Sequence, residues 1–250
     1  MKKVRFGIKG LDEALNGGIE AGSATLISGG PGTGKTSMGL HFIHSGALGG
    51  ENGIYVSLEE KRDKLLQNAE TLGLKNFGAL VKSGKITLVG IKELQGTDMG
   101  SRMVAEISHL AESRKVKRIV VDTLTTLAIY TTSPRWKVAA TQPFPKLVLF
   151  QPSKANVKQF LVSFINSMNR VDATMLFLAE DNDEYTQTQK YICDSVIEME
   201  RPSFELTHEG SILLRIIKTR RYPHSSAVHV VDIKGGKGVS VLPAAEALKA

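Results

Sequence analysis

Apolar positions along this chain fall into short runs of strand length, separated by stretches in which they recur every three or four residues. The runs are residues 24–28, 54–58, 86–89, 119–122, 174–179 and 195–199, dense in Ile, Val and Leu. They read as buried strands. Between them, 37–48 carries a helical pattern that stops at Gly49-Gly50, a common helix terminus. From Thr97, a suitable N-cap, Met99, Met103, Ile107, Leu110 and Ala111 recur at helical spacing. Residues 155–170 set Val157, Phe160, Leu161, Phe164, Ile165 and Met168 along one side of another helix. Strands alternating with helices predict an α/β fold whose central sheet is mostly parallel and flanked by helices.

The pattern changes after Glu200. Residues 204–207, 212–220, 227–233 and 239–242 are strand-like, separated by the turn sequences at 208–210, 221–224 and 235–236. They predict a C-terminal antiparallel β-meander appended to the parallel sheet. There is no repeat of solenoid period and no low-complexity tract, so residues 1–250 read as one domain with a short tail at 244–250. Residues 131–158 stand apart. They hold Pro134, Pro143, Pro145 and Pro152, the aromatics Trp136, Phe144 and Phe150, five Lys or Arg, and no Asp or Glu. So long a connection is expected to be a lid, a pore-facing loop or an interface insertion.

Composition narrows the class. The 250 residues are 42% hydrophobic, enough for one large core. The start is charged and no apolar run of signal-peptide length follows it. No stretch approaches the roughly 18 apolar residues of a membrane span. Cys193 is the only cysteine, which excludes an intramolecular disulfide and a cysteine-based metal cluster. A cytoplasmic protein with no membrane association is expected. The formal charge of +7 suits a nucleotide, an acidic protein or nucleic acid, and singles out none of them.

Residues 29–36 change the picture. They read GGPGTGKT, a complete Walker A loop, between a strand-like run and a helical pattern. Glycines let such a backbone wrap closely enough for its N–H groups to face phosphates. Gly29, Gly30, Pro31, Gly32, Thr33, Gly34, Lys35, Thr36 and Ser37 are therefore the expected nucleotide-binding residues, with a nucleoside triphosphate as the ligand. Lys35 would reach the β- and γ-phosphates and Thr36 would ligate Mg²⁺. The helix N-terminus behind the loop favours an anion.

Three further groups are candidates for chemistry. Asp122 ends the strand 117–122, as a Walker B carboxylate does, and would hold Mg²⁺ alongside Thr36. Glu59 and Glu60 follow the strand-like 55–58. They either activate the attacking water or simply open the next helix, where acidic residues suit the dipole. Lys218 and Arg220 lie two apart on a strand, so their side chains share a face. They are either a solvated edge or cations that reach a neighbouring subunit's γ-phosphate. His41, His44 and His109 lack metal-ligand spacing and read as helix-face or core residues.

Together these residues resemble a known family. The stretch from Gly10 through Asp12, Gly17, Gly18 and Ile19 to Gly22-Ser23, then the GGPGTGKT loop, Glu59-Glu60, Val121-Asp122, Asp194 to Ile197, Lys218 with Arg220, and His224-Ser225 is similar to the KaiC-type domains of the RecA-like P-loop ATPases. The match covers about residues 5–243. The resemblance implies a RecA-like core and ATP hydrolysis with Glu59 and Glu60 activating water. It also implies that Lys218 and Arg220 act in trans on ATP held between subunits, and hence a homo-oligomeric ring, a hexamer. One departure is visible. The two-domain clock members carry an adjacent Ser-Thr phosphoacceptor pair where this chain has Lys190 and Tyr191, with Thr186 and Thr188 nearby. Serine/threonine autokinase activity is accordingly the least favoured of the alternative functions.

Three functions compete. The favoured one is an ATP-hydrolysing, ring-forming switch whose nucleotide state controls a protein partner. The second is a recombinase-like DNA-binding ATPase, supported by the basic, aromatic 131–158 and opposed by the acidic Glu180, Asp181, Asp183 and Glu184. The third is a nucleotide-binding assembly module with negligible turnover.

Overall fold

The structure, a computed structural model, describes residues 1–90, 99–127, 153–181, 184–202 and 211–247. Two short strands, β1 (Lys3–Val4) and β2 (Ile19–Glu20), pair antiparallel around α1 (Leu11–Ala14). The strands β3 (Ala24–Gly29), β4 (Asn52–Ser57), β5 (Ile86–Gly90), β6 (Val116–Asp122), β7 (Thr174–Ala179) and β8 (Ser195–Glu200) follow. The helices among them are α2 (Lys35–Leu48), α3 (Arg62–Thr71), α4 (Phe77–Lys82), α5 (Met99–Ser113), α6 (Lys154–Asn169) and α7 (Thr186–Ile192). The chain then forms β9 (Ile212–Thr219), β10 (His229–Lys234), β11 (Gly238–Pro243) and α8 (Ala244–Ala247).

Nine strands make one sheet in the order β11-β10-β9-β8-β3-β7-β6-β4-β5. From β8 to β5 every pairing is parallel, and β9, β10 and β11 add antiparallel strands at one side. The α/β class and the C-terminal antiparallel strands expected from the sequence are both present.

The parallel strands are buried on both faces, so their sequences read as continuous apolar runs. The period of two still sorts the side chains. Leu26, Ile54, Val56, Ile119, Val121, Met175 and Phe177 join the core under α5 and α6, with Ile107, Val157, Leu161 and Phe164. Ile27, Tyr55, Val120, Leu176 and Leu178 face the other core, with Met38, Phe42 and Ile43 of α2 and Leu65 of α3. Ser153 caps α6 by accepting a hydrogen bond from the Asn156 N–H. Residues 153–158, grouped with the preceding connection from sequence, are thus the cap and first turn of a helix; 131–152 lie outside the described residues. So do Thr97, the strand expected at 204–207, and 248–250 of the tail. Among the described residues, no helix is long and apolar enough to cross a membrane.

Candidate functional site

A parallel sheet brings the C-terminal ends of its strands to one edge, and the loops there are where ligands bind. Here that edge collects Gly29, Ser57, Asp122, Ala179 and Glu200 at the ends of five strands. The register is set by backbone pairing: Ser57 lies opposite Asp122, Asp122 opposite Leu178, and Gly29 opposite Met199.

The 29–37 loop is held in shape by its own groups. Lys35 Nζ donates to the carbonyls of Gly29 and Gly30 at 2.7 and 2.9 Å. Thr33 Oγ1 donates to the Gly30 carbonyl at 2.8 Å, and Arg201 Nη2 to the Gly32 carbonyl at 2.9 Å. Gly34 caps α2 at φ 88°, the left-handed region, and a Cβ there would run into Ile233 Cδ1 from β10. The antiparallel extension therefore presses on the loop from outside.

Behind the loop lies Asp122, only 4% exposed. Its Oδ2 accepts from Thr36 Oγ1 at 2.9 Å and from the phenol of Tyr55 at 2.8 Å. Loss of water raises the Asp122 pKa, an effect partly offset by the Tyr55 and Thr36 hydrogen bonds. Burial and the Asp122 charge push Tyr55 up in turn, so its phenol stays protonated and donates. Two oxygen donors this close, one a carboxylate, fit a hard divalent cation that takes its remaining ligands from phosphate and water. Thr36 and Asp122 would hold Mg²⁺ in that way. Among the described residues, no group of three His, Cys, Asp or Glu is placed to bind a metal without such help.

Glu59 and Glu60 part ways after β4. Glu59 Oε1 accepts from Thr123 Oγ1 at 3.2 Å, which keeps it beside the end of β6. Desolvation raises its pKa first, and the Asp122 charge adds to that. Glu60 Oε2 instead accepts from Asn68 Nδ2 of α3 at 2.9 Å, and its backbone N–H donates to Ser57 Oγ. Ser57, Glu60 and Asn68 thus form a helix-opening turn around Glu60, while Thr123 holds Glu59 beside the end of β6; the Glu60 charge still raises the Asp122 pKa, so both glutamates lie near that carboxylate.

Lys218 and Arg220 lie elsewhere. Ser195, at the start of β8, pairs with Thr219, whereas Met199 at its other end pairs with Gly29. The two cations therefore sit at the opposite edge from their own loop, about 13 Å away along the strand at 3.3 Å per residue. They bond adjacent carbonyls: Lys218 Nζ donates to the Lys190 carbonyl at 2.6 Å, and Arg220 Nη2 to the Tyr191 carbonyl at 2.9 Å. Arg220 also pairs with Asp194 at 3.5 Å. Thr186 is 1% exposed and its hydroxyl donates to the Glu180 carbonyl.

With this geometry in hand, comparison with known proteins is decisive. The family described as the KaiC ATPase matches residues 4–139 and 147–246. The chain belongs to the KaiC ATPase family. A UPF0273 protein of Thermotoga maritima is 41% identical over 147 residues, 54% of this chain and 60% of its own. The circadian clock oscillator protein KaiC of Prochlorococcus marinus is 27% identical over 97% of this chain and 46% of its own. This chain thus spans about half the length of the curated relatives it matches. Among solved structures, a KaiC-like protein of Pyrococcus horikoshii OT3 shares the fold at TM-score 0.76 and 24% identity, covering 97% of this chain and 99% of its own. Membership of the KaiC ATPase family implies nucleotide binding, for which the 29–37 loop is the fitting place.

Several residues at this site escape a reading of the sequence. Tyr55 and Thr123 are the partners of Asp122 and Glu59, yet strand-interior Tyr and post-strand Thr are ordinary in a sheet. Asn68 reaches Glu60 from eight residues further on, in α3, and Arg201 reaches Gly32 across 169 residues. Only Tyr55 leaves a signal: a hydroxyl inside an otherwise apolar strand needs a buried partner.

Proposed function

We propose that this protein binds Mg-ATP on the 29–37 loop and hydrolyses it in an assembly whose subunits complete one another's sites. The observation that carries this reading is the split of the polar groups between two edges. Lys35, Thr36, Asp122 and Glu59 gather at one edge, and Lys218 and Arg220 lie at the other, held there by the carbonyls of Lys190 and Tyr191. A ring of subunits in head-to-tail contact would bring one protomer's cations to the next protomer's phosphates; a hexamer is the expected closure.

In this mechanism the loop amides and Lys35 hold the triphosphate, while Thr36 and Asp122 hold the cation. Bound there, Mg²⁺ would neutralise charge on the β- and γ-phosphate oxygens. Glu59 takes a proton from the attacking water as its oxygen bonds to the γ-phosphorus and the bond to the ADP oxygen breaks. Its raised pKa makes it a better base than a solvated carboxylate, and Thr123 orients it. Glu60 supports the turn that aims Glu59. Lys218 and Arg220 of the neighbour meet the charge on the leaving phosphates. The nucleotide state of the assembly then controls a protein partner.

Complementation tests the arrangement. Glu59→Gln, and Lys218→Ala with Arg220→Ala, should each lower turnover by about 100-fold or more while ATP still binds. Mixed in equal amounts and reassembled, they should recover about a quarter of wild-type activity, the fraction of interfaces joining an intact Glu59 to intact cations. Assembled mixtures that stay inactive would rule the shared site out.

A further inference from the structure

Among the described residues, Tyr55 is the largest fully buried side chain, and it carries a hydroxyl into that interior. A Phe would fill nearly the same volume without the cost of drying a phenol, so the oxygen needs a use. Three elements set where it goes. Tyr55 lies opposite Val120 in the β4–β6 pairing, and Asp122 stands two residues further along β6 on the same face, about 6.6 Å at 3.3 Å per residue. The phenol spans that distance, and its oxygen ends 2.8 Å from Asp122 Oδ2. Gly39 of α2 provides the room. A Cβ there would come 3.2 Å from Tyr55 Cε2, 3.1 Å from Val120 Cγ1 and 3.2 Å from Leu178 Cδ1. Thr36, on the same helix, donates from Oγ1 to that same Asp122 Oδ2 at 2.9 Å.

A carboxylate offers about four lone-pair positions, roughly two on each oxygen. The two hydroxyls take both of those on Oδ2. Among the described residues no other side chain hydrogen-bonds this carboxylate, so Oδ1 is left for a cation or for water bound to it. Because Thr36 spends its proton on Oδ2, the lone pairs of its own oxygen stay free for the same ion. A carboxylate restricted to one oxygen suits Mg²⁺, which demands a near-ideal octahedron and keeps several waters. It handicaps Ca²⁺, which takes about 6–8 oxygens and accepts both atoms of a carboxylate.

We propose that Tyr55 is a positioning residue that holds Asp122 to contact through one oxygen and so makes the site selective for Mg²⁺ over Ca²⁺. The inference deepens the Mg-ATP reading above and rests on it. Without the phenol, a lone pair of Oδ2 is released, the carboxylate turns about its last torsion, and both oxygens can face the ion. Thr36 alone does not prevent this, since its hydroxyl rotates to follow either oxygen.

The test uses the full chain as wild type, Tyr55→Phe and Asp122→Asn, each checked for folding by its thermal melt. Tyr55→Phe removes one oxygen and leaves the ring on Gly39. Binding of a non-hydrolysable ATP analogue is titrated calorimetrically without metal and over a series of Mg²⁺ or Ca²⁺ concentrations, so no readout depends on turnover. Without metal, Tyr55→Phe should bind the analogue within about two-fold of wild type, yet it should need about ten-fold more Mg²⁺ for half-saturation. Its Ca²⁺ requirement should change by less than about three-fold, so that discrimination between the ions falls. An unchanged Mg²⁺ requirement would overturn the proposal. So would an equal loss for both ions, the mark of general damage to the site. Asp122→Asn separates this inference from the reading beneath it. If Asp122→Asn leaves both metal requirements at wild-type values, the ion is not held here and the Mg-ATP assignment falls together with the inference. If Asp122→Asn raises the Mg²⁺ requirement and Tyr55→Phe does not, the inference alone falls.

Discussion

At the scale of the residue, the site is organised around one buried carboxylate. Asp122 is paired with hydroxyls alone, Thr36 and Tyr55, and burial raises its pKa despite them. A carboxyl raised in this way favours the folded state most below its ordinary pKa of 3.8, and that contribution is lost as pH rises through the folded value. Asp122→Asn should therefore stabilise the nucleotide-free protein near neutral pH. The gain in Tm should be about 2–4 °C for each kcal/mol and should vanish below pH 3.8, while nucleotide turnover is lost. Thermal melts across pH check the sign; an equal gain at every pH would point to packing instead. Glu59 and Glu60 differ in the same local terms. Glu59 faces the Asp122 group and Glu60 is tied to Asn68, so Glu59→Gln should cost about 100-fold or more in turnover and Glu60→Gln about ten-fold. Because its pKa is raised, Glu59 should also make turnover decline toward acid pH earlier than an ordinary glutamate would.

At the scale of the element, α2 follows directly on the 29–37 loop and is fixed at two points by the β10–β11 hairpin. Ile233 packs where a Gly34 side chain would be, and the Val239 N–H donates to His41 Nε2 at 3.0 Å. That bond needs an unprotonated ring nitrogen. Burial, helped by the neighbouring His44, holds the His41 pKa down to about 4 from 6.5. Its contribution is thus present above pH 6.5 and is lost as pH falls from 6.5 through about 4. The amount is on the order of 2 kcal/mol after solvent screening. His41→Gln should flatten the fall of Tm over that range, and a fall as steep as that of wild type would refute the assignment. From sequence, His41 reads as a helix-face residue, which it is. Its partner on β11, 198 residues away, has no local signature.

At the scale of the whole molecule, the separation of the two edges decides how activity must depend on concentration. In the proposed shared-site arrangement, a subunit whose cations lie away from its own loop needs a neighbour to complete its site. Specific activity should accordingly drop about ten-fold or more when the protein is diluted until it dissociates, and recover on reconcentration. Sizing and ATPase assays on the same fractions measure this; equal specific activity in monomer and assembly would contradict it.

The strands β3 to β11, the helices α2, α5 and α6, the α/β class and the antiparallel strands at the end were legible in the amino-acid sequence, whereas β1, β2, α1, α4 and α7 are too short to show a period. Buried parallel strands must be apolar on both faces, and turns must carry Gly, Pro or polar residues, so local composition records them. The glycine-rich 29–37 loop at the head of α2 was legible because its demand for glycine is also local. What only the tertiary structure decided is which residues share an edge. How Glu59 and Glu60 are each held near Asp122 depends on Thr123 and Asn68, on a neighbouring strand end and further along a helix. That Lys218 and Arg220 lie away from their own loop follows from β9 running antiparallel to β8, a pairing direction that the residues of a strand do not encode by themselves. The partners of Tyr55 and His41 belong to the same class. Hydrophobic period is a property of neighbours in sequence, while hydrogen-bond partnership at a site is a property of neighbours in space.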